Sequence, residues 1–204
     1  MQVHYNLLGG TGPDASSTLL RVAPATPDMR SVETMLLPAP VELPCRPAHA
    51  AGPLCDRDAA VADVVRRFGG DGNTANLLHL LCGGEIRPGN TQSCTRTVTE
   101  PTTIRGVAGH MHLLGRSMSI VVNPGTPTER TILDIPLWNF DDQGAKPIKP
   151  VHLKPFDTVQ VTCRHVQWLR DRLPALQGQP DKYVVWGDGT TDEMCLGILQ
   201  VTHP

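Results

Sequence analysis

Aromatic side chains make up only 4% of this 204-residue chain. No apolar run reaches the roughly 20 residues that cross a bilayer as a helix, which argues against a helical membrane span. Runs of Lys and Arg are missing too, and the formal net charge is -2, so no nucleic-acid surface is expected. The chain has six cysteines but no tight CxxC pair, which disfavours a zinc ribbon and points to disulfides formed in an oxidising compartment. Met1 to Leu8 shows neither a basic n-region nor an apolar h-region. Disulfide-type cysteines without an export signal lead to the expectation that the true N-terminus lies upstream of Met1.

What is present suits many short strands. A hydrophobic share of 40% supports a real core, while Gly 19 and Pro 19 favour strands joined by turns over a helical bundle. Residues 1–8 read as the end of a strand, and 17–23 and 32–43 as further strands. Pro38 and Pro40 break the last of these in a way that suits an edge or a linker, hence a possible domain boundary. After Cys94 the expected strands are 94–99, 104–112, 116–123, 130–136, 151–153, 158–165, 182–187 and 194–202, which would stack as an antiparallel sandwich.

One segment breaks the strand pattern. Ala60, Val61, Val64, Val65 and Phe68 recur at helical spacing behind Asp56, a capping residue, and Gly69-Gly70 closes the run. A second, shorter helix is expected over 73–82, stopped at Gly83-Gly84. Cys45 and Cys55 flank one loop here, and Cys82 and Cys94 another. Local bridges across each are the simplest of the three pairings these four allow. The charged helix face around Asp58, Arg66 and Arg67 reads as solvated, and Trp138, Trp168 and Trp186 as core.

Two distant segments carry chemistry: Gly109-His110-Met111-His112-Leu113-Leu114-Gly115, and Asp192-Glu193-Met194-Cys195. On a strand, side chains at i and i+2 leave the same face, so His110 and His112 would converge while Met111 turns away. Two imidazoles with the Met194 thioether make a copper-type donor set, because soft sulfur favours Cu(I) whereas zinc sites draw on His, Cys and carboxylate. Asp192 and Glu193 can be read as a general acid/base pair, but a turn-capping Asp at the head of a strand is the preferred role. His165 reads as a surface strand histidine, and His49, His79, His152 and His203 have no constellation around them.

These two segments resemble the catalytic-copper motifs of the copper type II, ascorbate-dependent monooxygenases, the family of peptidylglycine α-hydroxylating monooxygenase and dopamine β-monooxygenase. The resemblance implies that His110, His112 and Met194 hold the copper that activates dioxygen. It also implies that a one-electron donor such as ascorbate is consumed, and that an activated C–H bond of a small-molecule or peptide substrate is hydroxylated. The opening Gln2-Val3-His4-Tyr5 resembles the segment bearing one of three ligands of the second, electron-transferring copper, which makes His4 a partial metal ligand.

The family fold implied is a pair of successive jelly-roll sandwiches. Residues 1–30 would then be the tail of the first, and 31–204 the catalytic-copper sandwich with a helical, disulfide-containing insertion at about 45–94. A bridge between Cys163 and Cys195 is implied at places where the family has one. Strand alternation is compatible with it, since Met194 and Cys195 face opposite ways. In the family the partner of the cysteine matching Cys94 would lie beyond this chain's end, which favours pairing with Cys82. A secreted, cell-surface or other extracytoplasmic location follows from the cysteines and the family together.

The departures from the family are as informative as the matches. The electron-transfer copper also needs a His-His pair upstream, and these 204 residues contain none, so the isolated chain is expected not to turn over by itself. Ala108 and Ile198 stand where the peptide-amidating enzyme has an Arg and a Tyr that hold a substrate carboxylate. Peptide amidation is therefore not expected. The alternative to an enzyme is a non-catalytic copper-binding or purely structural sandwich.

Overall fold

The computed structural model describes residues 17, 19–69 and 73–204. Its strands are β1 Glu33–Ala39, β2 Glu42–Leu43, β3 Thr91–Thr97, β4 Thr102–His110, β5 Gly115–Val122, β6 Arg130–Ile135, β7 Lys146–Leu153, β8 Thr158–His165, β9 Val184–Val185 and β10 Cys195–Thr202. The helices are α1 Arg57–Phe68 and α2 Asn73–Leu81. Among the described residues no helix is long and apolar enough to cross a membrane.

The protein is mainly β and antiparallel. One four-stranded sheet has the order β1-β10-β4-β7, a second has β3-β8-β5-β6, and β2 and β9 form a small ribbon. Alternation explains the layering. On β8, Val159, Val161 and Cys163 are buried, and on β10 Cys195, Leu199 and Val201 are, so alternate residues of each sheet supply one core. The prolines sit where the ladder tolerates them: Pro38 on β1, and Pro147 and Pro150 on β7, the two edge strands of the first sheet.

Helix α1 forms as its sequence predicts. Asp56 caps it by accepting from Ala59 N at 2.9 Å, and Gly69 ends it at φ 78°, in the left-handed region open to glycine. A second, small core joins Ala60 and Ala75 of the two helices to Tyr183 and Val185, seating the helical segment on β9. All three disulfides form, as Cys45–Cys55, Cys82–Cys94 and Cys163–Cys195. The last ties β8 of one sheet to β10 of the other.

Some expectations need correction. Residues 17 and 19–23 are exposed and irregular, because no neighbouring strand offers Leu19, Leu20 and Val22 a surface to cover them. The expected strand 182–187 shrinks to the two residues of β9, and the one at 151–153 extends back to Lys146. Trp138 is buried as expected, but Trp168 is about half exposed. Residues 1–8, with His4, lie outside the described residues.

Candidate metal centre

The two motifs meet at one end of the β4–β10 pair. Leu196 stands opposite His110 and Gly197 opposite Gly109. Continuing that antiparallel register would set residue 194 against 112. Strand β4 ends at His110, so His112 lies two residues beyond it rather than on it. The imidazoles nonetheless converge, with ring centroids 5.1 Å apart and planes at 84°. Met111 turns fully into the core between them. Gly109 is needed for this packing, since a Cβ there would lie 2.2 Å from the Met118 sulfur.

Neighbouring groups decide which ring nitrogen carries the proton. His110 Nδ1 lies 2.6 Å from Gln143 Oε1, and Gln143 Nε2 donates to Phe140 O at 2.7 Å, which fixes that amide's orientation. His112 Nδ1 lies 3.3 Å from the Asp192 carbonyl oxygen. Both partners accept only, so both Nδ1 atoms donate. Such outer contacts orient metal-binding histidines. Met194 is half-buried and stands just before β10, while Cys195 turns into the core. The donor chemistry of His110, His112 and Met194 fits a soft, Cu(I)-type ion. Among the described residues, no three His, Cys, Asp or Glu side chains gather as a cage.

Glu193 shapes the site from within the core. It is fully buried, and its carboxylate accepts from His112 N at 2.9 Å and Leu114 N at 2.5 Å, so it shapes the loop that carries His112. His165 is not a surface residue. Buried beneath this loop, its Nε2 faces Met194 O at 3.2 Å and Glu193 Oε2 at 3.3 Å.

Asp192 is equally buried, with Lys182 Nζ and Arg67 Nη2 both on Oδ1, the latter at 2.5 Å. Arg67 is therefore not simply solvated. Its Nε also holds Asp63 at 2.8 Å. Burial works to lower the Arg67 guanidinium, but Asp192 and Asp63 outweigh it and hold the group above its ordinary value. At Lys182 burial wins over the Asp192 attraction, and the ammonium is pushed down. The sequence signal that could have exposed this cluster is the acid pair beside Met194, since buried carboxylates need cations or backbone donors.

Fold and site together define a disulfide-braced, antiparallel β protein with two histidines and a methionine brought to one end of a sheet. No family model and no curated protein matches the chain. Among solved structures it is similar to a ruminal GH26 endo-β-1,4-mannanase, with 14% identity and a TM-score of 0.24. That likeness covers 56% of this chain and 18% of the other. It carries no argument about function.

Proposed function

We propose that this chain is the dioxygen-activating part of an extracytoplasmic copper monooxygenase, built as a jelly-roll sandwich, that hydroxylates an activated C–H bond at the expense of a one-electron donor such as ascorbate. The observation that carries the reading is the convergence of the His110 and His112 rings, 5.1 Å apart, with an acceptor at the Nδ1 atom of each. Copper bound by His110, His112 and Met194 would supply one-electron chemistry with dioxygen. The chain's own residues hold the donors in place. Gln143 and Asp192 orient the two rings, Glu193 fixes the loop backbone, and the Cys163–Cys195 bridge anchors the strand behind Met194. Three disulfides support a secreted or cell-surface location.

Ala108 stands opposite Ile198 in the register, two residues from the His110–Leu196 pair. Neither side chain is a cation or a hydroxyl that could hold a peptide carboxylate, so a substrate uncharged at this point fits better. The second reading is a non-catalytic copper-binding sandwich, in which the same residues hold copper without turnover.

X-ray absorption of the Cu(I)-loaded chain tests the site. About one copper per chain is expected, with a sulfur scatterer that disappears in Met194→Ala. Binding that survives His110→Ala combined with His112→Ala sinks both copper readings. Ascorbate- and oxygen-dependent product formation by the chain together with its upstream region separates enzyme from binding module.

A further inference from the structure

We infer that Arg67, in the last turn of α1, is a positioning residue for the candidate metal centre, acting through Asp192 to orient His112. The proposal makes the helical segment part of the site's machinery. Its metal-affinity readout rests on the copper reading above, but its principal readout does not.

The connection is continuous. Asp63 accepts from Arg67 Nε at 2.8 Å, which leaves the other face of the guanidinium fork aimed at Asp192 Oδ1, 2.5 Å from Nη2. The backbone carbonyl of the same Asp192 takes the His112 Nδ1 proton at 3.3 Å. Clamping the carboxylate restrains the Asp192 Cα, whose amide is also held by Gly189 O at 2.8 Å, and so limits how far the attached carbonyl can move from His112.

The surroundings make Arg67 matter. Asp192 is 1% exposed, and its second oxygen, Oδ2, is buried with no hydrogen-bond partner. Its support therefore comes from the two cations on Oδ1, and loss of Arg67 leaves Lys182 alone. The helix end is also seated against this loop. A Cβ on Gly189 would lie 2.6 Å from Asp192 Oδ2 and 2.7 Å from the Phe68 ring, so the absence of a side chain there lets α1 approach closely. Arg66, one residue away, is largely exposed and reaches only Asp63, which provides an internal control.

The test is nitrogen-15 NMR of the metal-free chain with labelled histidine, read with Cu(I) affinity. In the parent protein His112 is expected to be a single Nδ1–H tautomer. Arg67→Ala should let it populate both tautomers, and Cu(I) affinity should fall on the order of tenfold. Arg67→Lys should restore most of both, and Arg66→Ala should change neither. Asp192→Asn, which keeps the side-chain size but weakens the clamp, should repeat the Arg67→Ala result if that variant folds poorly. If Arg67→Ala and Asp192→Asn lower the melting temperature yet leave His112 a single Nδ1–H tautomer, Arg67 is only structural and the proposal is overturned. If the parent binds no copper but Arg67→Ala still mixes the tautomers, the positioning role stands and only the copper reading fails.

Discussion

Two fully buried glutamates organise the two halves of this molecule in opposite ways. Glu42, on β2, is surrounded by side chains. Arg57 approaches it at 2.7 to 3.0 Å, His79 Nε2 at 2.7 Å and Tyr183 OH at 2.7 Å, joining α1, α2 and the residue just before β9 at one point. Glu193 is met chiefly by backbone, through the amides of His112 and Leu114. A carboxylate satisfied by side chains fastens elements to each other; one satisfied by amides dictates the path of a loop. The first kind serves stability, and the second serves the placement of a ligand.

The largest expected effect separates these roles. Burial alone would raise the Glu42 carboxyl, but the donors from Arg57, Tyr183 and His79 outweigh it and hold it below its usual range. Glu42→Gln breaks that charged cluster inside the protein and should cost about 3 kcal/mol, read from denaturant midpoints. Cu(I) affinity, measured where the variant is still folded, should stay near the parent value. Glu193→Gln sets an amide NH2 against one of the two backbone donors. It should cost less stability, about 2 kcal/mol, and more metal affinity, on the order of tenfold. If both variants lose affinity equally, the division between fastening and shaping fails.

Much of this arrangement was legible in the sequence, and the rest was hidden for identifiable reasons. Helix α1 announced itself through its apolar spacing and its Asp56 cap, and the converging histidines through strand alternation around Met111. The local bridges at Cys45–Cys55 and Cys82–Cys94 followed from loop proximity. His165 and Arg67 were misjudged, and the burial of Glu193 missed, because charge suggests solvent, and only tertiary contacts supply the partners that make burial tolerable. Gln143 gave no signal, since its contact with His110 spans 33 residues and depends on the path of a loop. The short ribbon of β2 and β9 was equally opaque, because a two-residue pairing has no periodicity to read.

Acid should sharpen the same contrast by a smaller amount, acting first on the helical side. Asp181 anchors the segment around the Cys45–Cys55 bridge, accepting from Arg46 Nε at 2.8 Å and Nη2 at 2.6 Å, with His49 Nδ1 at 3.1 Å. The Arg46 contacts hold its carboxyl down at about 2, against an ordinary 3.8. A depressed carboxylate favours the folded state wherever it is ionised. Its contribution is complete above the unfolded value near 3.8 and is lost as pH falls through about 2. With Arg46 partly open to solvent, screening leaves about 1 kcal/mol to be lost across that window. Stability measured from pH 5 to pH 2 should therefore decline in the parent and decline less steeply in Asp181→Asn, which starts lower. Hydrogen exchange should show the extra opening around residues 45–55, ahead of the loop that carries His112. A pH profile with the same slope in both proteins would mean that Arg46 holds Asp181 no more tightly when folded than solvent does when unfolded.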